Sequence, residues 1–174
     1  MISENYILFF TATVMRWKRL LQPDKYKKII VDSLQFLVEQ NKINLYGFVI
    51  MPNHIHILWS MKSPYMLQDV KRDFLKYTSQ TIKYDLQKYH PKVLAFFKSN
   101  RKDREYQFWQ DRSFNTPIYN RKVLEQKLDY IHNNPISKKW NLVDRPEKYK
   151  YSSAKYYIEG DTEFNFITHY TEHI

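Results

Sequence analysis

Tyr46-Gly47-Phe48-Val49-Ile50-Met51-Pro52-Asn53-His54-Ile55-His56-Ile57-Leu58-Trp59 places two β-prone runs on either side of a Pro-Asn pair. That order predicts two adjacent strands joined by a tight turn. Side chains alternate along a strand, so His54 and His56 share one face and Ile55 takes the other. Two imidazoles side by side on a rigid strand make a candidate metal-binding pair. Taken alone, the pair fits better as two polar residues on a half-exposed strand, because two histidines this close occur by chance in many chains.

Upstream, Tyr6 to Val14 is a continuous β-prone run, expected to be a first strand buried on both faces. It leads into the basic loop Met15-Arg16-Trp17-Lys18-Arg19. From Pro23 to about Gln40 the apolar residues follow helical spacing, with Pro23 where a first turn tolerates it. Downstream, a long helix is expected from about Met66 to Tyr89, closed by His90-Pro91. Its polar sides carry Lys71, Arg72, Lys76, Lys83 and Lys88, a solvated face or a phosphate-facing one. Val93 to Gln107 carries no clear period. Phe108-Trp109-Gln110 opens an expected fourth strand that continues through Ser113-Phe114-Asn115. A further helix is expected from Arg121 to Asn134, stopped at Asn134-Pro135. From about 136 the tail reads as mostly irregular, with a short helix around Tyr151 to Ile158. This order predicts one α+β domain over residues 1–174, a ferredoxin-like sandwich. Its antiparallel sheet would have about four strands, with helices packed on it and an added C-terminal helix.

Composition narrows the function classes. A 174-residue chain that is 43% hydrophobic can bury a real core, which excludes a disordered polymer. The formal charge of +10 points to a polyanionic partner, nucleic acid before a membrane surface. Without cysteine there are no thiolate metal sites, and the chain suits a reducing cytoplasm. No window approaches the roughly 18 apolar residues of a membrane span, and Met1 to Asn5 lacks a leader's basic-then-apolar order.

A second piece of chemistry lies on the last long helix. At 100° per residue, Leu128 and Ile131 fall within about 40° of Leu124 and form a core stripe. Tyr130 and Asn134 lie one turn apart on one flank, with Lys127 between them. His132 falls on the far side from Tyr130, which marks it as a packing or capping histidine. Two imidazoles and an amide oxygen make a poor closed zinc site and a better open site for Mg²⁺ or Mn²⁺. Such a site beside a phenol, in a basic chain, points to phosphoryl transfer. A phenol needs activation to attack, and Lys127 or the metal could favour its phenolate. Fifteen tyrosines occur in the chain, so Tyr130 also fits as one more packing residue.

These residues resemble a known family. Val49-Ile50-Met51-Pro52-Asn53-His54-Ile55-His56 is similar to the His-hydrophobe-His motif of HUH single-tyrosine transposases. Tyr130-Ile131-His132-Asn133-Asn134-Pro135 resembles the Tyr-Ile-His-x-Asn-Pro signature of their REP-associated relatives. Tyr149-Lys150-Tyr151-Ser152-Ser153-Ala154 resembles the Tyr-x-x-Ser-Ser-Ala segment that follows it. The resemblance runs from the first strand to about Tyr157. It implies a metal-dependent endonuclease and strand transferase that acts on single-stranded DNA at hairpins. It also implies His54, His56 and Asn134 as ligands of Mg²⁺ or Mn²⁺, and Tyr130 as the nucleophile that forms a 5′-phosphotyrosine. Arg16, Lys18, Arg19, Arg101, Lys102 and Arg104 are the candidate contacts to nucleic acid.

One departure stands out. Related chains place a glycine four residues after Asn-Pro. Ile136-Ser137-Lys138-Lys139-Trp140-Asn141 is longer by two, with Asn141 where the glycine would be. Asparagine is the next best residue for a left-handed turn. The length change puts any borrowed target sequence in doubt. A non-catalytic single-strand binder and a water-using metal phosphodiesterase are the rival readings, and the choice between monomer and dimer stays open.

Overall fold

The computed structural model describes residues 6–174, so Met1 to Asn5 lie outside the described residues. Four strands form one antiparallel sheet: β1 (Ile7–Thr13), β2 (Ile43–Ile50), β3 (His54–Met61) and β4 (Phe114–Ile118). Their spatial order is β2-β3-β1-β4, the ferredoxin-like arrangement. β2 and β3 are the hairpin around Pro52-Asn53, and Met51 N–H donates across the turn to the His54 carbonyl at 2.9 Å.

The pairing register assigns the faces. Phe10 stands opposite Ile57, Leu8 opposite Trp59 and Ala12 opposite Ile55. Helices α1 (Asp24–Glu39) and α2 (Leu67–Tyr89) cover that side. Trp59 packs on Phe10 and on Phe74 of α2, with ring centroids 5.0 and 5.9 Å apart. The other face takes Phe9 with Leu58, Thr11 with His56 and Thr13 with His54. Helix α4 (Arg121–Asn133) lies across it. The register shifts between Leu45 and Gly47, and at Gly47 an added Cβ would meet Leu128 Cδ2 at 2.7 Å and Ser153 Oγ at 3.2 Å. Only glycine lets α4 approach the sheet this closely.

Two expectations change at their edges. The fourth strand does not begin at Phe108. Trp109 makes a single bridge to Val14, and the Gln107 amide folds the next stretch locally by donating to the Trp109 carbonyl and to Asp111. Regular pairing resumes only at Phe114, where Pro117 is tolerated because β4 is an edge strand. After His90, the proline that ends α2 starts the short helix α3 (Pro91–Ala95) at a position that suits it.

The tail forms few regular elements, yet it is tied down along the edge of β2. Ile50 N–H donates to the Tyr151 carbonyl and Ser153 N–H to the Phe48 carbonyl, both at 2.9 Å, while the Tyr149 hydroxyl reaches the Ile50 carbonyl at 2.7 Å. Helix α5 (Ala154–Glu159) follows, and Thr168 N–H then donates to the Leu45 carbonyl at 2.8 Å. The Tyr-x-x-Ser-Ser-Ala segment is therefore a strap that closes the open edge of the sheet. Among the described residues, no helix is long and apolar enough to cross a membrane.

Candidate active site

His54 and His56 point to the α4 face with ring centroids 4.8 Å apart. Both are buried, at 8% and 6% exposure, where a half-exposed strand would have left them open. Burial, reinforced by the Lys139 ammonium, pushes the His54 imidazole down to about 4. Burial, then His54 and Lys127, pushes His56 down to about 3. Both rings are therefore neutral at pH 7, the form that offers a lone pair.

Their outer nitrogens are held. Asn53 Nδ2 donates to the Trp17 carbonyl at 3.2 Å, which leaves Asn53 Oδ1 to accept from His54 Nδ1 at 2.7 Å. His56 Nδ1 meets Thr11 Oγ1 at 2.8 Å, while His56 Nε2 is buried with no partner at all. An unmet buried polar atom costs about 1–3 kcal/mol. Trp59 Nε1 and Asn115 Oδ1 are also unmet, but the register turns both toward the α1/α2 side of the sheet. With Nδ1 fixed and Nε2 open, the two imidazoles fit a divalent cation. Among the described residues, no cluster of three or more His, Cys, Asp or Glu is placed to hold a metal.

Helix α4 brings the phenol. Asn120 caps it by accepting from Val123 N–H at 3.0 Å, and Leu124, Leu128 and Ile131 bury its core stripe. His132 is buried on the other flank, where Nε2 lies 2.7 Å from Ser153 Oγ, the atom that also accepts from Phe48 N–H at 3.0 Å. One serine thus joins α4 to β2. Tyr130 is 54% exposed and lies edge-on to His56, with centroids 5.4 Å apart. Phe9 stacks on His56 at 5.2 Å and carries the Lys127 ammonium 4.7 Å above its ring. Lys127 is therefore engaged by Phe9. Asn134 caps the C-terminal end of α4, one turn beyond Tyr130 and half-buried. Its carbonyl accepts from Ser137 Oγ at 2.8 Å, and the helix end continues into Pro135. The structure thus gathers the rings of His54, His56 and Tyr130, and it places Asn134 by its position on the helix without a hydrogen bond to either imidazole.

The basic candidates divide. Lys18 sits 4.6 Å over Phe96, and Arg19 sits 5.4 Å over Trp140, whose ring lies 5.9 Å from His54. Arg101 and Arg104 are engaged with Asp103 and Asp111, while Lys102 is exposed. Arg16 and Arg101 line one cleft of about 180 Å³. Asn53, Thr11, Ser153, Gly47 and Trp140 carry much of this site; the sequence marked Asn53 as a turn residue, and it set Gly47, Ser153 and Trp140 inside stretches of interest without giving them these contacts.

A sequence profile described as "Transposase IS200 like" matches residues 9–134, from the strand under His56 to the cap of the tyrosine helix. The chain belongs to the IS200-like transposase family. Members nick and join DNA. No curated protein sequence matches the chain. Among solved structures it is similar to a REP-associated tyrosine transposase bound to a REP hairpin. The TM-score there is 0.65 and the identity 17%, over 95% of this chain and 84% of that one. A Deinococcus radiodurans R1 protein described as a transposase aligns with TM-score 0.46 and 13% identity over 74% of this chain and 90% of that one. At 17% identity the likeness to the hairpin-bound structure speaks for the fold alone.

Proposed function

We propose that this transposase cuts single-stranded DNA beside a hairpin, with Tyr130 as the attacking group. The phenol oxygen would form a bond to phosphorus as the bond from phosphorus to the 3′ oxygen breaks. That leaves a 5′-phosphotyrosine and a free 3′-OH, with the phenolic proton passing to the departing oxygen. The reverse attack by a 3′-OH rejoins strands, because the phosphodiester energy is kept in the tyrosyl link. His54, His56 and Asn134 would hold Mg²⁺ or Mn²⁺, which supplies charge that polarises the phosphodiester. Asn53 and Thr11 hold the Nδ1 atoms of the two imidazoles, which leaves their Nε2 atoms to the metal. The charge of +10 attracts the DNA backbone.

The observation that carries this reading is the exposed Tyr130 ring edge-on to His56, whose buried Nε2 has no partner. Tyr130→Phe keeps that ring in place and removes only the hydroxyl. With a labelled hairpin bearing single-stranded flanks and Mn²⁺, the wild type should give a covalent protein–DNA band on a denaturing gel. The variant should give none and should not cut. Undiminished cutting by Tyr130→Phe would instead identify water as the nucleophile.

A further inference from the structure

The Met15–Arg19 turn carries a feature the cutting reaction leaves unexplained. Arg16 and Trp17 both sit in the left-handed region, with φ of 54° and 56°, where neither residue type is at ease. The turn is not slack, because Asn53 holds the Trp17 carbonyl with the same side chain that holds His54. The outcome is a tryptophan presented to solvent at 57% exposure. Strained backbone that is held in place from outside clusters at functional sites.

A row of alternating rings and cations leads from that tryptophan to the site. Lys139 Nζ lies 5.6 Å from the Trp17 ring and 5.8 Å from the Trp140 ring. Arg19 covers Trp140, and Trp140 lies 5.9 Å from His54. Lys139 and Trp140 lie in the segment that follows Pro135, and Asn141 turns that segment with φ 44°.

Exposed aromatic faces alone need no ligand. Interleaved with cations they match unpaired nucleic acid, where rings stack on bases and cations meet the phosphates between them. A duplex offers only base edges, so an open ring face calls for a base that is already unstacked. A protein partner would give the two cations no such regular counterpart. We propose that Trp17, Trp140 and Lys139 form a shelf that stacks one unpaired nucleotide of the flank entering the His54–His56 site. The shelf rests on the reading of that site as one that cuts DNA, and it would select the target by the flank rather than by the hairpin.

Binding can be measured by fluorescence anisotropy without divalent metal, using a hairpin with unpaired flanks on both sides. Single abasic residues are walked through those flanks, which removes one base at a time and keeps every phosphate. Stacking of one base predicts that an abasic residue at one flank position, or at two adjacent ones, weakens wild-type binding about 10-fold. Trp17→Ala should weaken binding of the intact probe by a similar factor and lose the difference between intact and abasic at that position. Trp17→Phe should keep most of it. The abasic walk on the wild type needs no substitution, so a poorly folded variant would not blur the answer. Equal wild-type affinity for every abasic probe overturns the shelf, as does a full base preference in Trp17→Ala. If that happens while the wild type still forms the Tyr130 covalent band, only the shelf falls. A chain that binds none of the probes overturns both readings.

Discussion

Strand β3 faces two different environments with alternate residues. Ile55, Ile57 and Trp59 face α1 and α2, where an apolar layer closes around them. His54 and His56 face α4, where they are also buried but the neighbours are Thr11, Asn53 and Tyr130. Burial therefore serves different ends on the two faces. On one side it removes apolar surface from water and stabilises the fold. On the other it keeps two imidazoles neutral, aims their Nδ1 atoms at fixed partners and leaves one Nε2 unmet, which costs stability.

Acid should separate the two faces most strongly. His54, His56 and His132 are held at about 4, about 3 and about 4, each below the ordinary 6.5, because burial penalises their charged forms. The unfolded chain takes up those protons first, so the stability they reflect is present above about pH 6.5 and lost as pH falls toward 4. Urea denaturation at pH 7, 5 and 4 should show a decline on the order of several kcal/mol. His132→Gln should remove about one proton from the slope. A flat profile would mean that the α4 face is not closed to water.

Neighbours on the strand give the next contrast. Ile57→Ala should lower stability by about 2–5 kcal/mol and leave Mn²⁺ affinity unchanged in the folded fraction. His56→Ala should weaken Mn²⁺ binding roughly 10-fold or more. Titration calorimetry beside denaturation reads both quantities. Equal Mn²⁺ affinity in wild type and His56→Ala would remove the difference between the faces. A smaller effect is expected at Gly47→Val, which crowds Leu128 and should destabilise by about 1–3 kcal/mol. Because the displaced element is α4, cutting should fall by more than the loss of folded protein explains.

Much of this was legible along the chain because it follows local periods. A period of two put His54 and His56 on one face, and a period of 3.6 put Tyr130 and Asn134 on one flank, with His132 away from them. What was not legible depends on residues far apart in sequence. Thr11 meets His56 only because β1 pairs with β3, and Ser153 meets His132 only because the tail straps β2. Gly47 reads as a weak point in a strand until Leu128 arrives above it. Lys127 falls between Tyr130 and Asn134 on a wheel, yet the Phe9 ring claims its ammonium, and a wheel holds no neighbouring strand. The fourth strand was misplaced because Phe108 to Gln110 has strand-like residues, while pairing with β1 is regular only from Phe114 on.

The central claim is that the phenol of Tyr130 takes the phosphate. Covalent complex formed with hairpin DNA and Mn²⁺ can be digested with nuclease and trypsin, and the adduct located by tandem mass spectrometry. Fifteen tyrosines compete for it. The account predicts a nucleotide joined through its 5′-phosphate to Tyr130. An adduct on any other tyrosine, or cleaved DNA with no adduct on the protein, would contradict it.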